Sequence, residues 1–443
     1  MLKISYEQVF LYLENDQIKE LKEIINQQHP ADVTQIFNEL PSEHHLKLFS
    51  LLDTEIASDV LPELHDDIRE NILSNLKQLE LVPIIDEMDT DDAADIIGEL
   101  EEDVSRDLLE RIDEDDSLQI KKLLTYDEES AGGLMQTEII AVHKTRKRDQ
   151  LIEYIRENHD EVENIHYVFV IDDNYSLIGI LDITKLLLAK PESSAEDIMD
   201  TDIISVKVDV DQEQVANIFR KYDIYTLPVV DNNNRLLGRI TVDDIIDVID
   251  DEAAEDAYKM VGLENEDRVF THPLSSVRKR LPWLTLNLFT ALLVSSVVGI
   301  FEATIARLSF LAVLMPIVAG LGGNSGTQTL TVITRGIAMG ELTIRNTYRA
   351  IFKEVSVGLI NGIIVGSCAM FIAYLLRGDI MLGIVLGCAM VCNMFIAGLV
   401  GSIIPVVMKS LKIDPALASS VIITMLTDIG GFASFLGLAT ILL

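Results

Sequence analysis

A single carboxylate lies within a long apolar stretch of this chain. Asp428 stands near the middle of residues 415–443, which contain no other charged side chain. About 20 apolar residues suffice for a helix to cross a bilayer. A carboxylate at that depth costs at least about 2.5–3.5 kcal/mol, so it usually faces a bundle interior or a water-filled path. A protonated Asp bonded to a neighbouring helix is the alternative, and we favour the path because other helices bring polar groups to the same depth.

Charge divides the sequence into two parts of opposite character. Residues 1–270 carry 24 basic and 66 acidic side chains, whereas residues 271–443 carry 11 and 6. The acidic part would repel phosphate, which argues against nucleic acid as a partner and for divalent cations, although solubility alone explains many of these acids. We expect no signal peptide, because Met1 leads into a polar amphipathic stretch. The first cysteine is Cys368, and a soluble part without cysteine suits the cytosol.

Residues 1–130 are predicted to form an acidic, α-helical, superhelical N-domain. Apolar residues recur at helical spacing, and four prolines are predicted to break the helices: Pro30, Pro41, Pro62 and Pro83. Residues 35–40 resemble residues 95–100, and helix pairs that repeat tend to stack into a superhelix. Asp91 and Asp95 lie four residues apart on one helix face, where like charges repel unless a cation lies between them. A solvated helix start explains the same residues equally well.

Residues 131–250 contain a second internal repeat. Residues 134–142 are similar to residues 198–206, and each copy has the pattern strand, helix, strand, Asx-rich turn, strand, helix. The pattern resembles a tandem pair of α/β CBS (cystathionine-β-synthase-like) domains at about 134–190 and 198–250. That resemblance implies a pair that senses a ligand, often an adenine nucleotide such as ATP, that dimerises and that does not catalyse a reaction.

Residues 251–272 are predicted to form an acidic connecting helix, within a helical pattern that begins near Val242. Asp247 with Asp251, and Asp251 with Glu255, are like-charge pairs that destabilise an isolated helix. Because this helix leads directly into the apolar part, it is well placed to act as a gate. A passive acidic connector is the alternative.

Residues 273–443 are predicted to form a five-helix, all-α transmembrane domain. The apolar segments are 281–301, 308–334, 349–376, 380–408 and 415–443. If the N-terminal part is cytosolic, the inner loops hold nine basic residues and the outer loops hold only Arg307 and Arg377, which places the C-terminus outside. The chain is therefore predicted to be a multidomain, multi-pass protein of the plasma (inner) membrane, embedded in the lipid bilayer.

Polar groups on three of these segments are predicted to lie at one depth. Asn324 and Gln328 share a face of the second segment, Asn393 lies in the fourth and Asp428 in the fifth. Interhelical hydrogen bonding is a strong alternative role for the amides. Oxygen ligands without histidine beyond His272 favour Mg²⁺, Ca²⁺ or Mn²⁺ over Zn²⁺ or Cu⁺. Because Mg²⁺ keeps several waters, one carboxylate per subunit suits a hydrated ion held by a dimer.

The whole chain resembles the MgtE family of magnesium channels. The domain order and the motifs at residues 316–328, 414–419 and 427–431 carry the resemblance. It implies a homodimer with the pore on its two-fold axis, a pore Mg²⁺ site at Asp428 of both subunits and a second site involving Asp414. It also implies regulatory Mg²⁺ between the N-domain, the CBS domains and the connecting helix. The acids implied there are Asp91, Asp92, Asp95, Glu213, Asp223, Asp247, Asp250, Asp251, Glu255 and Asp256.

The sequence thus predicts a Mg²⁺-selective channel that imports magnesium across the plasma membrane and is closed by cytosolic Mg²⁺. Two other classes stay open. One is a secondary divalent-cation transporter for Mg²⁺ and Co²⁺, coupled to an ion gradient through Asp428. The other is a membrane-tethered CBS sensor that does not transport. We do not expect an enzyme, because the sequence shows no phosphate loop, no nucleophile constellation and no zinc spacing.

Overall fold

The structure is a computed structural model that describes residues 4–159, 162, 165–263, 272–343, 345–417 and 420–443. Residues 264–271 of the predicted connecting helix and residues 418–419 of the membrane half lie outside the described residues. The chain divides into two compact units, Met1–Ile249 and Asp250–Leu443. Each unit has a hydrophobic core of its own.

Short helices make up the first part of the described chain. They are α1 Tyr6–Glu14, α2 Ile18–Ile25, α3 Pro30–Glu39, α4 Ser42–Phe49, α5 Thr54–Val60, α6 Asp66–Asn75, α7 Gln78–Ile85, α8 Thr90–Gly98, α9 Glu102–Leu109 and α10 Glu114–Leu123. Alternate helices pack on one another, α1 on α3, α3 on α5, α5 on α7 and α7 on α9. This is the stacking expected of repeated helix pairs, and it confirms the predicted superhelical domain.

Of the prolines predicted to break these helices, two lie at helix starts and one lies inside a helix. Pro30 is the first residue of α3 and Pro41 precedes α4, as expected of a residue that lacks an N–H. Pro83, however, lies inside α7, so the break predicted there is wrong. Its missing N–H removes one helical hydrogen bond, and the burial of Leu81 and Ile85 in the core of the first unit offsets that loss.

The predicted CBS repeat forms two similar three-stranded sheets. The first copy has β1 Ala141–His143, α11 Arg148–Glu157, β2 Tyr167–Ile171, β3 Leu177–Asp182 and α12 Ile183–Leu188. The second has α13 Ala195–Ile198, β4 Val206–Lys207, α14 Gln212–Tyr222, β5 Thr226–Val230, β6 Leu236–Thr241 and α15 Val242–Met260. In each sheet the first strand pair is parallel and the second is antiparallel. Asp172 and Asp231 hold the hairpin turns, since each Oδ1 accepts two backbone N–H groups.

Helix α15 begins in the second CBS copy, nine residues before the predicted start of the connecting helix. Asp244 stabilises that start, because its Oδ2 accepts hydrogen bonds from the hydroxyl of Thr241 at 2.5 Å and from its N–H at 3.3 Å. The described helix ends at Met260. Its last turns belong to the second unit and its first turns to the first unit.

The second unit contains the five predicted membrane helices. They are α16 Pro273–Ile300, α18 Phe310–Ala338, α19 Thr347–Arg377, α20 Ile380–Ser410 and α21 Ser420–Leu442, with the short α17 Glu302–Arg307 between the first two. Each of the five long helices is long and apolar enough to cross a bilayer, which confirms the predicted membrane domain. Glycines let α19 and α20 pack closely, since a Cβ on Gly366 would lie 2.8 Å from the carbonyl oxygen of Gly387.

Candidate cation sites

The helix that carries Asp428 approaches α18 through glycines. A Cβ on Gly323 would lie 3.5 Å from the side chain of Thr424, and a Cβ on Gly326 would lie 2.5 Å from that of Ile423. Thr424 lies one turn before Asp428 on α21. The sequence therefore brings α18 and α21 together beside the two motifs that were predicted to line an ion path.

Asp428 is half-buried, and its Oδ1 has no hydrogen-bond partner among the described residues although that atom is shielded from solvent. An unpaired buried polar oxygen costs about 1–3 kcal/mol. Such a cost persists in a folded protein mainly where a ligand, an ion or a partner chain relieves it. The local geometry thus leaves Asp428 ready to accept a cation or a hydrogen-bond donor.

A second carboxylate in the membrane half, Glu354 on α19, provides a contrast. It is 4% exposed, yet the hydroxyl of Thr329 donates to its Oε2 at 3.3 Å and Lys353 pairs with its Oε1 at 2.5 Å. Sequence analysis did not single out this residue, because no local pattern marks its contact with Thr329, which lies 25 residues away. Both of its oxygens are satisfied within the chain, whereas one oxygen of Asp428 is not.

The predicted amides separate into two groups. Asn324 and Gln328 are exposed together on one face of α18, as the spacing predicted. Asn393 is fully buried, and its Nδ2 donates to the carbonyl oxygen of Val318 at 2.8 Å. A Cβ on Gly431 would lie 2.6 Å from that Nδ2, so Asn393 fills the space between α18, α20 and α21. The Nδ2 of Asn393 thus serves an interhelical bond, whereas its Oδ1 has no hydrogen-bond partner among the described residues, and its role as a pore ligand stays a prediction.

Asp414 lies in the loop before α21 and is held on both oxygens. Its Oδ1 accepts from the N–H of Ala416 at 2.8 Å, and its Oδ2 accepts from the ammonium of Lys259 at 2.8 Å. Lys259 also pairs with Glu255 one turn earlier on α15. Burial works to lower the pKa of Lys259, but the hydrogen bonds to Asp414 and Glu255 outweigh it and raise that pKa. Burial, then repulsion from Asp414, raises the pKa of Asp256.

A second acidic cluster forms within the first unit, where the first turn of α8 meets the first turn of α15. Asp91 is 8% exposed, and its Oδ1 has no partner among the described residues. Burial, and then repulsion from Asp92 and Asp244, holds the pKa of Asp91 well above its usual range. Burial and repulsion from Asp244 raise the pKa of Asp92 to about 8. Asp95 is exposed on α8, and crowding of its carboxyl by neighbouring atoms, then repulsion from Glu128, raises its pKa to about 6.

Three members of this cluster were missed by sequence reasoning. Asp244 belongs to the acidic run of α15, but the acids predicted to bind Mg²⁺ lay further along that helix. The structure shows that Asp244, in the first turn, is the acid of α15 that repels Asp91 and Asp92. Glu63 follows α5, and burial, then Asp247 and Asp244, raises its pKa. Glu138 accepts from the hydroxyl of Thr90 at 3.0 Å, which fastens the start of α8 to the CBS segment. No sequence pattern marked Glu63 or Glu138, because the contacts join residues far apart in the chain.

The remaining predicted acids, apart from Asp247, are dispersed. Glu213 lies in the first turn of α14 and Asp223 caps its other end in a left-handed conformation, so the helix separates them by about 15 Å. Asp250 and Asp251 are exposed on α15, and Asp247, also exposed, lies near enough to Glu63 for its charge to act on the cluster of the first unit. Across the described ranges, no three histidine, cysteine, aspartate or glutamate side chains form a set that could hold a metal ion. These acids therefore concentrate charge without forming a closed coordination cage.

Comparison with known proteins identifies the family. Residues 315–438 match the family described as MgtE divalent cation transporter, residues 28–129 match the MgtE intracellular N domain, and residues 131–192 and 195–251 match CBS domains. The chain is 38% identical over 431 residues to the magnesium transporter MgtE of Enterococcus faecalis, covering 97% of this chain and 95% of that protein. It is 32% identical over 433 residues to the MgtE of Bacillus subtilis, covering 98% and 96%.

Solved structures agree with the soluble part of this assignment. The cytosolic domain of the Mg²⁺ channel MgtE in complex with ATP is 30% identical with a TM-score of 0.53, and the match covers 55% of this chain and all of that one. The soluble part of a magnesium transporter is 31% identical with a TM-score of 0.51, covering 56% and 98%. Family, domain order and five membrane helices agree, and the chain belongs to the MgtE family of magnesium transporters.

Proposed function

We propose that this transporter is a Mg²⁺-selective channel that imports magnesium across the plasma membrane as a homodimer. The observation that carries the proposal is the buried, unpaired Oδ1 of Asp428 beside the close approach of α18 and α21. A carboxylate in this setting attracts a cation, and Mg²⁺ prefers such oxygen ligands while keeping much of its water. The channel would therefore hold a hydrated ion at Asp428.

A second copy of the chain would complete the site. One chain supplies a single carboxylate at this depth, and the amides of Asn324 and Gln328 are exposed rather than turned into their own bundle. A two-fold axis along this face would pair the two Asp428 side chains and surround the ion with amides. Basic residues on the predicted inner loops support a cytosolic N-terminus and an external C-terminus.

Cytosolic Mg²⁺ would close the channel by binding the acidic clusters. The carboxylates of Asp91, Asp92 and Asp244 would have to draw together around the ion. Their donors are oxygens, and the buried Oδ1 of Asp91 has no partner among the described residues, which supports the proposal. A bound ion would relieve repulsion that otherwise drives α8 and α15 apart. Closure follows only if Mg²⁺ binds the closed arrangement more tightly than the open one.

The CBS pair would bind an adenine nucleotide. The related cytosolic domain was solved in complex with ATP, and two segments of this chain match the CBS domain. A nucleotide bound there would act on the same N-terminal part as regulatory Mg²⁺ and would be a second regulator of the channel. Isothermal titration of the full chain with ATP tests this assignment.

Magnesium flux into liposomes tests the main proposal. Asp428→Ala should abolish Mg²⁺ uptake, because it removes the only carboxylate of α21, while leaving membrane insertion intact. Asp379→Asn is the matched control: Asp379 caps α20 by accepting from Met381 and Leu382 N–H groups, and Asn preserves a cap. Wild-type uptake by the Asp428→Ala protein would remove Asp428 from the path. Single-channel currents separate a channel from a coupled transporter, which would produce none.

A further inference from the structure

Lys259 lies where an ion was predicted to lie. Its ammonium bridges Asp414, at 2.8 Å, and Glu255, while Asp256 adds a third nearby carboxylate. Asp414 is the residue that the family resemblance associates with a second Mg²⁺ site. In this chain a positively charged side chain already neutralises part of that site.

The end of α15 is built to hold Lys259 in place. Gly262 has a φ of +74°, and its N–H donates to the carbonyl of Lys259 at 3.0 Å while that of Leu263 donates to Tyr258 at 2.9 Å. These bonds form a Schellman motif, which stops a helix at a defined residue. A Cβ on Gly262 would lie 3.2 Å from the ring of Trp283 on α16, so the helix end also contacts a membrane helix.

The partner carboxylate is equally constrained. Asp414 Oδ1 is engaged by the N–H of Ala416, which orients Oδ2 toward Lys259. The side chains of Lys259 and Asp414 are 27% and 36% exposed, so the pair is partly shielded from water. Ion pairs that are shielded and share two carboxylates are stronger than isolated surface pairs.

We propose that Lys259 is a tethered cation that holds the end of α15 against the loop before α21 without Mg²⁺ at that point. A divalent ion can bind Asp414 only after displacing the ammonium. The ion pairs of Lys259 would then keep this contact closed even without Mg²⁺. Most of the dependence of closure on Mg²⁺ would come from the acids of the first unit. This inference rests on the proposed function, because it assigns Asp414 to the mouth of the ion path.

Carbodiimide crosslinking tests the contact independently of transport. This reagent joins an amine to a carboxylate only when the two touch. In the full-length, Mg²⁺-free protein we expect mass spectrometry to find an amide bond between Lys259 and Asp414 or Glu255, and we expect Mg²⁺ to leave that yield largely unchanged. Absence of the crosslink without Mg²⁺ would overturn the inference, whether or not the protein conducts.

Recordings from inside-out patches test the consequence. Lys259→Gln should raise the current at very low cytosolic Mg²⁺ by about twofold to fivefold, the loss expected for one partly shielded ion pair. It should also make closure more sensitive to added Mg²⁺, because the carboxylates lose their built-in cation. Lys259→Arg should behave as wild type. Currents from Lys259→Gln equal to wild type, or Lys259→Arg behaving as Lys259→Gln, would refute the role of the charge.

Discussion

The charge of Asp92 offers the sharpest test of the cluster in the first unit. Its pKa is about 8 in the folded protein against an ordinary value of 3.8. Between these values the unfolded chain has lost the proton while the folded protein still holds it. Folding stability therefore falls as pH rises from about 4 to about 8 and levels off above that, because the folded state must then accept the buried charge.

The structure sets the size of the effect. The folded and unfolded pKa values of Asp92 differ by about four units, so ionising this side chain can lower the unfolding free energy by at most about 6 kcal/mol. In the wild type, neighbouring carboxyls can keep their protons and move apart when Asp92 ionises, which lowers the cost of that charge. We therefore expect Asp92→Asn to recover only about 2–3 kcal/mol of unfolding free energy at pH 8.5. At pH 5 the gain should be below about 1 kcal/mol. Most of the loss of stability occurs at higher pH, between pH 5 and the folded pKa of Asp92.

Scanning calorimetry of the full-length protein in detergent with EDTA measures this gain. For a unit of this size, 2–3 kcal/mol corresponds to a rise in Tm of about 4–12 °C at pH 8.5. Adding Mg²⁺ should stabilise wild type more than Asp92→Asn, because the variant has lost a ligand. Asp209→Asn, a change at an exposed carboxylate of the second CBS copy, should leave Tm unchanged. Equal effects of Asp92→Asn at pH 5 and pH 8.5 would refute the electrostatic account.

Two further predictions concern the membrane helices. Asn393→Ala should lower the unfolding free energy by about 1–3 kcal/mol, because the hydrogen bond to Val318 is lost. Mg²⁺ selectivity should persist. Loss of Mg²⁺ flux at unchanged thermal stability would instead make Asn393 a ligand of the ion path. Gly366→Ala should reduce the yield of folded protein in membranes, since the new Cβ would lie 2.8 Å from the Gly387 oxygen. Gly437→Ala is its control, because nothing lies within 4 Å there, and equal yields would contradict the packing argument.

Local patterns predicted the architecture well. The apolar runs became five long helices, the repeat at 134–142 and 198–206 became two CBS copies, and Asp172 and Asp231 formed the expected turns. Such features depend on residues close together in the chain. The spacing of apolar residues or a single turn-forming residue is therefore sufficient to predict them. Pro83 was the exception, because core packing overrode the local preference against proline in a helix.

Side-chain partners were less predictable. Sequence placed Asn324, Asn393 and Asp428 at one depth, but only packing decided that Asn393 is enclosed while Asn324 is exposed. The acidic run in α15 was evident, yet which of its members faces Asp91 depended on how α8 and the CBS copy meet. Lys259 gave no signal beyond its spacing from Glu255, since its partner lies 155 residues away.

The sequence by itself determined the apolar segments that form the five long helices, the domain order and the number of acids available to a cation, because hydrophobicity, repeats and charge are properties of composition along the chain. Tertiary structure decided which carboxylates are satisfied. Asp414 and Glu354 have partners, whereas one oxygen of Asp428 and one of Asp91 have none among the described residues. That difference arises from packing between distant segments, which removes water from some carboxylates and supplies a donor to only a few of them.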